Sequence, residues 1–158
     1  MNWPYLHTLV NHFPIILSVV GTAVLLLALV TRRRGVWLYA VATLTLAGLS
    51  AYPAFYTGGA ASHALRGTWY IVPAMVHEHS AAANFALISL LITGAVNALA
   101  WWRMLKGFTE ATPANWLKVV LVLISVWSAS VVIRTAYLGG QIVHDSPKLA
   151  TPPAPTAP

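Results

Sequence analysis

Four long apolar stretches, Leu9 to Val30, Val36 to Tyr56, Ala81 to Trp102 and Trp116 to Leu138, leave this chain few ways to fold. Each matches the roughly 20 residues that a helix needs to cross a hydrocarbon core. Inside lipid the backbone must satisfy its own hydrogen bonds, so each stretch is read as a helix. Charged residues make up only 8% of the chain, where a soluble domain carries about 25%, and lipid is therefore the expected solvent. The sequence predicts an all-α integral membrane protein: a four-helix transmembrane bundle, up and down, over residues 1–147. Lys148 to Pro158 is too rich in proline and too poor in apolar side chains to pack, and is expected to form a disordered tail.

Basic residues set the expected topology. Arg32, Arg33 and Arg34 follow the first span, and Arg103, Lys106 and Lys118 lie between the third and fourth. The positive-inside rule puts both connections in the cytoplasm, and hence both termini and the connection Thr57 to Ser80 in the periplasm of a bacterial inner membrane. With no basic region before it and a strong one after it, the first span is expected to remain in the protein. Small residues such as Gly21, Ala47, Gly48, Gly94 and Ser125 recur within the spans and predict close helix packing.

The net charge of +6 is accounted for by these topology signals, so nucleic-acid binding is rejected. With no cysteine, thiolate metal ligands and covalent haem attachment are excluded. Three acidic residues in the whole chain leave little for general acid and base work. No Ser-His-acid set or glycine-rich phosphate loop stands out, so no independent catalytic motif is expected.

Titratable side chains are costly in a membrane and therefore informative. His7, His12, His79 and His144 fall at the ends of spans that the topology places outside, and His63 and His77 in the outer connection. On the fourth span Arg134, Tyr137, Gln141 and His144 recur at helical spacing, so a helix continuing through Gly139-Gly140 would carry one polar stripe, expected to face the bundle. The glycines would let a flat group approach. On the first span His7 and Asn11 share a face and His12 points about 140° away from His7. Glu78, between His77 and His79, is a candidate for orienting a ligating ring. Asn84 and Asn97 are expected to bond between helices.

Leu6-His7 through Asn11-His12 and Pro14, Thr57-Gly58 followed by Ala60-Ala61, His79 with alanines after it, and Thr135-Ala136-Tyr137-Leu138-Gly139-Gly140-Gln141-Ile142 with His144 form a recognisable series. In these residues the chain resembles a family of uncharacterised bacterial four-helix membrane proteins defined by a domain of unknown function. The resemblance runs nearly to Asp145 and is carried mainly by its opening and closing motifs. It singles out His7, Asn11, His12, His79, Gly139, Gly140, Gln141 and His144, and leaves His63 and His77 outside the pattern. Where that branch is usually acidic, this chain has Ala60, Ser62 and His63. The resemblance implies the fold and brings no activity with it.

Function is accordingly read from the chemistry. Histidines on separate helices can clamp a haem iron, and the expectation is a b-type haem electron-transfer protein holding one or two haems through bis-histidine ligation. Ligands would be drawn from His7, His12, His79 and His144, with Asn11, Gln141 and Arg134 around the cofactor and Arg134 and Arg66 on its propionates. Electrons would be exchanged with a periplasmic cytochrome, a larger membrane complex or quinol, as a subunit of an oxidoreductase. The alternatives are a non-haem transition-metal site using the same histidines, with His63, His77 and Glu78 as further ligands, or a structural or assembly subunit with no cofactor.

Overall fold

The computed structural model describes residues 1–107 and 112–150. Six helices follow in order: α1 (Trp3–Val10), α2 (His12–Thr31), α3 (Arg34–Ala64), α4 (Pro73–Leu105), α5 (Asn115–His144) and α6 (Ser146–Leu149). No strand occurs among the described residues. The side chain of Asn2 caps α1 by accepting from the Tyr5 amide at 3.2 Å. α1 gives way to α2 at Asn11 because Pro14, four residues after Val10, has no N–H to offer the Val10 carbonyl. Together they form one span, Trp3–Thr31.

Arg32 adopts the left-handed conformation, its amide closing onto Ala28, and Arg33 is extended. Those two residues suffice to reverse the chain. Pro73 opens α4 after extended Val72, since proline pre-sets the first helical turn and bars helix in the residue before it.

The long helices alternate in direction. Arg34, at the start of α3, donates to the carbonyl of Met104 at the end of α4, and His7 meets Thr57 near the other end. α2 packs on α3, α3 on α4, α4 on α5, and α5 returns to α2. The first and third spans are therefore diagonal partners, as are the second and fourth.

Packing follows from small residues. At the crossing of α3 and α4, a Cβ on Gly48 would lie 2.8 Å from the Cα of Gly94, so the two backbones touch. Leu25, Trp37, Val41, Leu44, Met104 and Leu121 fill the basic end. In the middle, Thr93 and Ser128 share a hydrogen bond of 2.6 Å, Ser128 also donates to the Ser89 carbonyl at 3.0 Å, and Thr22 reaches the Ser125 carbonyl at 3.3 Å. Such bonds hold helices together where no hydrophobic effect acts between them. Outward positions are as apolar as inward ones: Leu49 is 68% exposed, Phe85 70% and Leu123 66%. Four helices of this length and hydropathy, with such a surface, make this a multi-pass membrane protein.

Two expectations change. The connection taken as Thr57 to Ser80 is shorter, because α3 runs on to Ala64 and α4 begins at Pro73. Hydropathy falls after Tyr56, but Thr57 and Ala61 are buried against neighbouring helices and the helix persists. At the C-terminus, Lys148 and Leu149 close a helical turn in α6 whose Ser146 hydroxyl accepts from the Val72 amide. The rest of the expected tail, 151–158, lies outside the described residues.

Candidate functional site

His7 leaves α1 toward α3, where its Nδ1 lies 3.3 Å from the hydroxyl of Thr57. That hydroxyl donates its single proton to the carbonyl of Pro53 (2.9 Å) or Ala54 (3.0 Å). It can then only accept from His7. His79 leaves α4 toward α5, and its Nδ1 donates to the carbonyl of Thr135 at 3.0 Å. His79 is thus held with the proton on Nδ1, and the Thr57 hydroxyl, its own proton committed to a backbone carbonyl, sets the same tautomer at His7, whose ring also bonds the Ala54 carbonyl; in that tautomer Nε2 of each ring carries a lone pair. Their centroids stand 6.5 Å apart, with the planes at 65°. Two histidines from diagonal helices meet at the end of the bundle away from the arginine turn.

Glycine permits the approach. A Cβ on Gly58 would come within 3.0 Å of Cε1 of His7, and a Cβ on Gly139 within 3.0 Å of Cε1 of His79. The next glycine in each helix, Gly59 and Gly140, has nothing within 4 Å of its missing side chain. These matching contacts rest on a repeat in the sequence: Tyr56-x-Gly58-Gly59-x-x-x-His63 on α3 and Tyr137-x-Gly139-Gly140-x-x-x-His144 on α5. In each copy the first glycine seats a histidine of the central pair, and the tyrosine, second glycine and histidine line a hollow on the outer surface. The two halves of the bundle therefore seat their histidines on matching glycines.

The other sequence-derived candidates lie elsewhere. His12 is exposed, and its Nδ1 bonds the Thr8 carbonyl of its own turn. His63, His77 and His144 are exposed, and no group of three or more His, Asp or Glu gathers among the described residues. α5 does continue through Gly139-Gly140 to His144, but the polar stripe does not face the bundle. Arg134, Tyr137 and His144 are exposed, and Gln141, partly buried, donates to the Tyr137 hydroxyl at 3.3 Å. Ser128, Ala129, Val132 and Leu138 face inward instead, because small and apolar side chains allow the closer helix contact.

Glu78 stands 4.0 Å from Arg134 in an exposed ion pair, so it orients neither ring; Thr57 and Thr135 do that. Asn84 bonds the Ser80 carbonyl of its own helix and Asn97 the Thr93 carbonyl of its own, not a neighbouring helix. Asn11 keeps a buried Oδ1 with no partner, an acceptor available one helical turn from His7. Compared with known protein families, with curated proteins and with solved structures, the chain matches none. Thr57, Thr135 and Gly58 were missed as site residues, although the glycine-pair repeat, legible in the sequence, points to Gly58.

Proposed function

We propose that this chain is a b-type haem electron-transfer protein of the bacterial inner membrane in which Nε2 of His7 and Nε2 of His79 would hold the haem iron. The observation that carries the reading is the diagonal pair itself, 6.5 Å between ring centres with both Nδ1 atoms tied back. Two imidazoles holding one metal from opposite sides through nitrogens about 2 Å away have ring centres about 6 Å apart. A non-haem ion would need a third or fourth protein ligand for a closed site, and no such group gathers among the described residues. Haem supplies four nitrogens of its own, so two histidines complete it.

The bound porphyrin iron would supply one-electron redox chemistry. The chain's own residues set its conditions. Thr57 and Thr135 hold the rings in the ligating tautomer, a constraint whose loss typically weakens metal binding about 10- to 100-fold. Gly58 and Gly139 fix how far each ring stands from its helix. The arginine cluster Arg32 to Arg34 lies at the other end of the bundle, which favours a periplasmic site and a periplasmic electron carrier or lipid quinol as partner.

The test is a reduced-minus-oxidised absorption spectrum and a pyridine hemochrome assay on protein purified from haem-replete cells. Stoichiometric haem b in the native chain, lost in His7→Ala and in His79→Ala and kept in His12→Ala and His144→Ala, is the expected result. A protein without haem bands, or bands that survive both ligand substitutions, overturns the reading.

A further inference from the structure

The repeat leaves each half of the bundle with an outward hollow, and the two copies differ in a way that matters chemically. On α3 the hollow has a volume of about 390 Å³ and is lined by Tyr52, Phe55, Tyr56, Gly59, Ala60 and His63. On α5 it is about 240 Å³, lined by Tyr137, Gly140, Gln141, His144 and Asp145. At the places of Tyr52, Phe55 and Ala60 in the first copy, the second has Ile133, Ala136 and Gln141. The α3 hollow is thus lined by three aromatic side chains, a glycine, an alanine and one imidazole. The α5 copy gained an amide and a carboxylate, the latter engaged by Lys148 at 3.0 Å.

We infer that the α3 hollow binds the headgroup of a lipid-soluble quinone or hydroquinone. The inference rests on the haem reading for its purpose and on independent observations for its chemistry. An occupant entering from the bilayer must be apolar, because the outer surface of the same helix carries the exposed Leu46 and Leu49. It should be flat, because Tyr52, Phe55 and Tyr56 line the hollow beside the small Gly59 and Ala60. It must also carry an oxygen that can exchange a hydrogen bond with His63, the titratable imidazole of the lining. A quinone ring with its isoprenoid tail along α3 meets all three requirements. Aliphatic lipid chains meet only the first. Gly59 adjoins Gly58, on which the His7 ring rests, so the headgroup would lie one residue along α3 from the histidine pair.

The experiment uses full-length protein in lipid nanodiscs, with binding of decylubiquinone and photolabelling by an azidoquinone, both read whether or not haem is present. Label concentrated on residues 52–63, displaced by decylubiquinone, is the expected result. At Gly59 an added Cβ meets nothing within 4 Å, so Gly59→Leu, which puts its side chain into the hollow, should abolish that label while the fold is kept. His63→Ala should weaken binding by about tenfold, the order of one hydrogen bond. Label spread evenly over lipid-facing helices, label unchanged by Gly59→Leu, or label concentrated on residues 137–145 overturns the assignment. Because labelling is scored without reference to absorbance, a chain that lacks haem yet labels at α3 refutes the haem reading alone.

Discussion

Adding one methyl group to each of four glycines separates the proposed site from its surroundings. At Gly139 an added Cβ would lie 3.0 Å from Cε1 of His79, where carbon atoms prefer about 3.5–4.0 Å. The ring must therefore withdraw by roughly 0.5–1 Å. That movement draws the Nδ1 bond to Thr135, now 3.0 Å, toward the limit of hydrogen bonding. It also exceeds the tolerance of about 0.5 Å that a preorganised site allows. Gly58 presents the same geometry to His7. Gly59 and Gly140, one residue along each helix, have open space and serve as controls. Helix propensity favours alanine over glycine by about 1 kcal/mol, so Gly59→Ala and Gly140→Ala should be neutral or stabilising. At Gly58 and Gly139 an overpacking cost of about 1–3 kcal/mol opposes that gain, and the net effect runs from near zero to a loss of about 2 kcal/mol. Thermal unfolding in detergent and the haem-to-protein ratio report the two quantities. Gly58→Ala and Gly139→Ala should lower the haem ratio while their neighbours leave it intact. If all four variants behave alike in both assays, the glycines do not seat the rings and the argument for a constructed pair fails.

Gly48→Ala should be among the most damaging small changes in the chain. Its Cβ would meet backbone, the Cα of Gly94 at 2.8 Å and the Leu90 carbonyl at 2.9 Å, which cannot rotate away as a side chain can, and a loss of about 1–3 kcal/mol is expected in detergent unfolding. Thr57→Val removes the only hydroxyl that accepts from His7 and should weaken cofactor retention by about 10- to 100-fold; dilution of holoprotein into apomyoglobin measures it, and unchanged retention would show that Thr57 does not set the tautomer. Reporter fusions after Ala150 and after Arg33 should be active in the periplasm and the cytoplasm respectively, and the reverse pattern would move the histidine pair to the cytoplasmic side.

The sequence already contained the four spans, the tight arginine turn and the segregation of six histidines to one end. These depend on hydropathy and length, which are properties of residues in series. It also contained the duplicated Tyr-x-Gly-Gly-x-x-x-His, since a repeat needs no coordinates to be read. It misplaced the ends of α3 and α4, because hydropathy stops at Tyr56 while the helical hydrogen bonds continue to Ala64.

Which histidines meet was decided by tertiary structure. His7 and His79 are diagonal partners because four helices close into a ring, with each histidine seated on the glycine of the next helix. The direction of the α5 stripe was decided there as well. The small side chains Ser128 and Ala129 turned inward, where close approach holds membrane helices together, while Arg134 and Tyr137 near the outer end were left outside. Hydropathy along a chain thus fixes which stretches cross the membrane, whereas where each helix ends and the face it presents to its neighbours are set by which surfaces fit.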